Sequence, residues 1–165
     1  MKRDFLAETD FSRDEILQTF ELAAKLKKET HAGLAHPLLQ GQTLAMIFQK
    51  PSNRTRVSFE IGMYQLAGHA VYLGPQEIGL GTRESVADVA RVLARYCDGI
   101  MARVFGPHLV EELAEWAPVP VINGLSDLLH PCQILGDSLS IIEPKGRLDR
   151  KSTRLNSSHG KVPRM

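Results

Sequence analysis

Four short apolar runs alternate with helical patterns along the chain, and that alternation restricts the possible folds more than any other feature. "TLAMIF" (residues 43–48) is apolar at nearly every position, as expected of a strand buried on both faces. "AVYLG" (70–74), "GIMARVF" (99–105) and "VPVI" (119–122) read as further strands. The first helical stretch, "DFSRDEILQTFELAAKLKKET", has Ser12 followed three residues later by Glu15, a capping-box spacing. Ile16, Phe20, Ala23 and Ala24 then recur at helical intervals. "RVSFEIGMYQLAG" predicts a helix closing near Gly68, where a C-terminal glycine is expected. After the loop "GLGTRES", "ESVADVARVLARYC" predicts a helix with Val86, Val89, Ala90, Val92 and Leu93 facing inward. "HLVEELAEWA" and "PCQILGDSLSIIE" are the last helices, the second with Pro131 in its first turn. No repeat or low-complexity segment interrupts the series. The pattern predicts an α/β fold: a doubly wound parallel sheet with helices on both faces.

The composition suits one soluble domain: 165 residues, 43% hydrophobic and 24% charged. No run approaches the ~18 apolar residues of a membrane span. The start, "MKRDFLAETDF", has basic residues without an apolar segment behind them, so no signal peptide is expected. Cys97 and Cys132 are far apart and read as reduced packing thiols of a cytoplasmic protein. The charge is uneven. Residues 149–165, "DRKSTRLNSSHGKVPRM", hold five Lys or Arg and one acid, which leaves residues 1–148 with 15 basic and 18 acidic side chains. A basic tail suggests a nucleic-acid arm or a solvated terminus. The string "DRKSTRLNSSH" also resembles a translated sequencing adapter. On that reading the domain is 1–148, and 149–165 is a non-native, disordered tail outside the fold.

In doubly wound sheets, ligands bind beyond the carboxyl ends of the strands. Three polar groups fall there. Ser52, Asn53, Arg54 and Thr55 follow the 43–48 strand and open a helix, whose free N–H groups and partial positive charge favour an anion. Arginine adds a planar fork suited to phosphate. Arg103 ends its strand, and "HPCQ", His130 to Gln133, precedes the last helix. Each group has a plainer reading: surface charge for Arg54, a pair with Asp98 for Arg103, a cap or core histidine for His130. Gln133 alone says nothing. Arg56 is two positions from Arg54 and so off its face, and an ion pair with Glu60 at i+4 is expected. The glycines at 79 and 81 lack the continuation of a dinucleotide turn, no Walker motif occurs, and the six histidines show no zinc-ligand spacing.

"FQKPSNRTRVSFE", "GTRESVADVARVLARYCDGIMARVF" and "VPVINGLSDLLHPCQILGD", in that order, resemble the aspartate and ornithine carbamoyltransferases, and their wording is nearer the ornithine enzymes. The resemblance spans about residues 1–148 and implies the amino-terminal, carbamoyl-phosphate-binding half of a two-domain transferase. It implies that Ser52, Asn53, Arg54 and Thr55 hold the phosphate. Arg103 and His130 would act on the carbonyl oxygen, and Gln133 on the carbamoyl NH2. It further implies ornithine bound by a second domain, a homotrimer with the 76–85 loop facing a neighbour, and no metal, cofactor, nucleic acid or membrane. Asn53 stands where threonine is usual, and Gly79 where many bacterial relatives have a glutamine. Competing readings are a carbamoyltransferase for aspartate or another amine, a non-catalytic anion-binding module, and a nucleic-acid binder resting wholly on the tail.

Overall fold

The computed structural model describes residues 2–146 and Leu148. The expected boundary at 148 and the adapter-like tail therefore lie at or beyond the end of the described residues. The elements run α1 (Arg13–His31), β1 (Thr43–Phe48), α2 (Asn53–Gln65), β2 (His69–Leu73), α3 (Pro75–Ile78), α4 (Val86–Leu93), β3 (Gly99–Arg103), α5 (Pro107–Trp116), β4 (Val121–Leu125) and α6 (Pro131–Lys145). The four strands are parallel in the order β2-β1-β3-β4. From β1 the chain crosses outward to β2, then back over β1 to β3. The direction reverses between β1 and β3, which is the switch point where such sheets open a crevice.

Alternation of side chains divides the core in two. On one face Ala45, Ile47, Ile100, Ala102 and Val121 pack under Val86, Val89 and Ala90 of α4 and Val110 and Leu113 of α5. On the other, Met46, Phe48 and Met101 pack with Phe59 and Met63 of α2 and with Ile122. α6 runs beside β4 and is tied to α1 by Lys27 and Glu143 at 2.8 Å. The predicted doubly wound sheet is what forms.

α2 begins at Asn53, as expected of Ser52–Thr55 opening a helix, and the Ser52 hydroxyl caps it by accepting from the Thr55 N–H at 3.4 Å. Other details differ from the sequence reading, among them the short α3 after β2, where no helix is expected. α4 stops at Leu93 and the chain passes through tight turns to Cys97. Val92 is 51% exposed, because it lies off the i, i+3, i+4, i+7 stripe of Val86, Val89, Ala90 and Leu93. β4 is shifted to 121–125 and runs through Asn123 and Gly124, past the expected end at 122. Asn123 is sustained by pairing with the N-terminal segment: its N–H donates to Phe5 O at 2.8 Å and its side chain to Leu6 O at 2.9 Å. Gly124 sits at a register shift, and a Cβ there would come within 2.4 Å of Met101 Sδ.

A further difference concerns the end of α2. Gly68 donates to Met63 O at 2.8 Å and Ala67 to Tyr64 O at 3.0 Å, the bond pair of a Schellman motif. The left-handed position is Ala67, with φ 63°, one residue before the expected glycine. Gly68 is needed for space instead, since a Cβ there would lie 2.6 Å from Met63 Cε. An alanine in the left-handed region costs about 1–2 kcal/mol, more than the added unfolded-state entropy of a glycine. Ala67→Gly should therefore raise stability by roughly 0.5 kcal/mol or more in urea denaturation; a destabilised variant would contradict this account of the turn.

Candidate anion-binding site

The parallel pairing of β1 with β3 sets Phe48 opposite Arg103, and the Gln49 N–H donates to Arg103 O at 2.9 Å. The two strands thus end together, and α2 starts four residues after β1. A cavity of about 410 Å³ opens at this switch point. Ser52, Arg54, Thr55, Arg103, His130 and Gln133 all line it. Six of the seven predicted site residues therefore meet. Asn53 is the exception: it occupies the first position of α2, and its side chain lines an adjoining shallow depression with Arg54, Val57 and Ser58.

Thr55 is buried and its hydroxyl accepts from Arg103 Nη1 at 3.1 Å, joining the start of α2 to the end of β3. Arg103 Nε is buried without a partner, and so is His130 Nδ1. Among the described residues, no ion pair includes Arg54 or Arg103. The pair with Asp98 does not form, because Asp98 accepts from the Thr43 N–H at 2.8 Å, at the other end of β1. Burial, and then the nearby Arg54, push the Arg103 guanidinium below its usual range. Burial followed by Arg103 also lowers His130, against a smaller opposing pull from Asp137. The site is a positive, partly desolvated hollow whose two guanidinium groups are in no ion pair among the described residues.

Residues outside the cavity hold its frame. Lys50 turns from the site to pair with Asp127 and lies over the Phe105 ring at 4.5 Å. Gln49 bridges the two strand ends, accepting from the Phe105 N–H at 3.0 Å and donating to Leu80 O at 3.2 Å. Arg56 pairs with Glu60 at 2.9 Å, as its spacing predicts, and covers Tyr72 at 3.9 Å. Cys132 lines the cavity with its thiol pushed up to about 11 by burial, which makes it a poor nucleophile. Ser58, Phe59, Leu125 and Gly136 complete the walls; Ser58 is the polar residue among these four, missed in the sequence, and its hydroxyl donates to Thr55 O at 3.0 Å. Gly79 has φ 51°, and a Cβ there would meet Arg83 Cβ at 2.7 Å, so the turn itself requires glycine. Among the described residues, no group of three His, Cys, Asp or Glu is arranged to hold a metal ion, and no helix is long and apolar enough to cross a membrane.

The family profile described as aspartate/ornithine carbamoyltransferase, carbamoyl-P binding domain, matches residues 3–143. The chain belongs to this family. The ornithine carbamoyltransferase of Syntrophotalea carbinolica is 53% identical over 145 residues, which cover 88% of this chain and 48% of that protein. The solved ornithine carbamoyltransferase of Pyrococcus furiosus superposes with a TM-score of 0.85 at 55% identity, over 87% of this chain and 46% of that one. A mutant N-acetyl-L-ornithine transcarbamylase complexed with carbamyl phosphate and N-succinyl-L-norvaline gives a TM-score of 0.79 at 36% identity, over 87% and 48%. The chain spans about half the length of the curated relatives it matches. Within the carbamoyltransferase family it corresponds to the carbamoyl-phosphate-binding domain.

The lowered His130 sets a pH dependence. Its folded value lies below the ordinary 6.5, so the folded state holds fewer protons than the unfolded state between the two values. The resulting stability is complete above the ordinary value and is lost as pH falls through the folded one. In an NMR titration the His130 ring should protonate below 6.5, and Arg103→Gln should move that midpoint upward. A midpoint unmoved by the substitution would contradict the stated electrostatics.

Proposed function

We propose that this chain is the carbamoyl-phosphate half of an ornithine carbamoyltransferase, acting in the transfer of a carbamoyl group to the side-chain amine of ornithine to give citrulline and phosphate. The observation that carries the reading is the meeting of Arg54, Arg103 and His130 around one cavity at the switch point, where neither guanidinium is in an ion pair among the described residues. A small dianion is the complement such a hollow calls for.

In this reading the phosphate sits against the first turn of α2. The backbone N–H groups of Asn53 and Arg54, the Arg54 guanidinium and the Ser52 and Thr55 groups hold it there. The Asn53 side chain takes no part. Arg103 reaches from the phosphate to the carbamoyl oxygen. His130, held neutral, still offers one N–H to that oxygen without adding a third positive charge. Gln133 orients the carbamoyl NH2. The amine lone pair attacks the carbonyl carbon, and negative charge gathers on the oxygen between Arg103 and His130. The carbon–oxygen bond to phosphate then breaks, phosphate leaves with the bonding electrons, and the amine loses its proton. Such donors act because they are fixed before the charge develops, and removing one costs about 2.7–4 kcal/mol in comparable sites.

The remaining half of the enzyme would hold ornithine. A homotrimer, with the 76–85 loop facing a neighbouring subunit, and a cytoplasmic setting belong to the same proposal. Carbamoyl phosphate should bind the 165-residue chain in a calorimetric titration. Arg54→Ala and Arg103→Ala should each weaken binding by on the order of tenfold or more, from the worth of a charge-assisted hydrogen bond. With the second half supplied, His130→Ala should lower turnover by on the order of 100-fold or more. Binding indifferent to both arginines would remove the proposal.

A further inference from the structure

Gln133 lines the cavity, and its side-chain Nε2 donates to Asp137 Oδ1 at 2.7 Å, one turn further along α6. An ionised carboxylate only accepts hydrogen bonds, so this contact fixes which end of the amide is which. One N–H of the Gln133 amide is held by Asp137, and the carbonyl oxygen is left on the other side as an acceptor. The rest of the polar wall is rich in donors. Arginine has no acceptor at all, and the Ser52, Thr55 and Ser58 hydroxyls are each already engaged, the first two accepting from the Thr55 N–H and Arg103 and the third donating to Thr55 O. Those donors suit the oxygens of an acyl phosphate, and the Gln133 oxygen adds an amide acceptor suited to an N–H. Asp137 is not part of the cavity wall and, among the described residues, is in no ion pair.

Resting on the function proposed above, we infer that Asp137 is a positioning residue. It locks the Gln133 amide with its oxygen available to the ligand, so that the cavity selects an acyl phosphate bearing NH2 over one bearing methyl at the same place. The two ends of a primary amide are nearly the same shape, and a freely rotating side chain would offer either to the ligand. An anchored one presents the same acceptor to every ligand and so favours a ligand that supplies an N–H to it. Carbamoyl phosphate supplies the missing donor and acetyl phosphate does not.

The test uses the full chain and three probes: carbamoyl phosphate, acetyl phosphate and inorganic phosphate. The unsubstituted chain should prefer carbamoyl over acetyl phosphate by about tenfold or more. Asp137→Ala should shrink that preference to about threefold or less while leaving the affinity for inorganic phosphate unchanged. Asp137→Asn keeps an oxygen for the Gln133 NH2 and should restore most of the preference, an outcome that general loosening of α6 would not give. Gln133→Leu leaves Asp137 in place and should lose the preference as Asp137→Ala does. An undiminished preference in either Asp137→Ala or Gln133→Leu, with phosphate still bound, overturns the inference alone. Phosphate binding that ignores Arg54→Ala and Arg103→Ala overturns the functional reading and this inference with it.

Discussion

The bond from Arg103 to the Thr55 hydroxyl joins the two elements on which the site depends. Arg103 is the last residue of β3, and Thr55 lies in the first turn of α2, the helix that follows β1. Only a parallel β1–β3 pairing in the observed register sets those two positions side by side. The sheet's reversal of direction then leaves space above them rather than a covering crossover. Arg103 is thereby held at the sheet rim, its Nε buried and unpaired and Arg54 lining the same wall. The arrangement is disfavoured until an anion arrives, because Arg103 is partly desolvated and Arg54 lies near it.

The same constraint explains the quiet residues around it. Lys50 is the other cation of the β1–α2 loop, and it is neutralised by Asp127 and set on Phe105. Arg56 is neutralised by Glu60. The two cations beside the cavity are thus paired off, whereas Arg54 and Arg103 are in no ion pair among the described residues. Burial and then Arg103 lower His130, whose ring can donate to an oxygen without competing for the dianion's charge.

Much of this was legible in the residues. Apolar runs and helical periodicities specified the parallel α/β sheet, and the preference of such sheets for ligands beyond their strand ends pointed to Ser52–Thr55, Arg103 and His130–Gln133. The capping box of Ser12 and Glu15 forms as its spacing implies. What escaped depends on contacts remote in sequence. β4 extends past residue 122 through Asn123 and Gly124, where residues 5 and 6 pair with one and Met101 fills the space beside the other. Ala67 takes the left-handed position although a glycine stands next to it, since Gly68 is required for a close approach to Met63. Asp137 lies one helical turn from Gln133, so its spacing was visible, but its consequence needed the direction of the Gln133 amide.

The account turns on where a dianion comes to rest. A crystal structure of the chain with carbamoyl phosphate tests that most directly. The phosphate should lie within hydrogen-bond distance of the first-turn N–H groups of α2 and of both Arg54 and Arg103, with the carbamoyl oxygen toward His130. Density for the ligand elsewhere on the molecule, with these groups untouched, would contradict it.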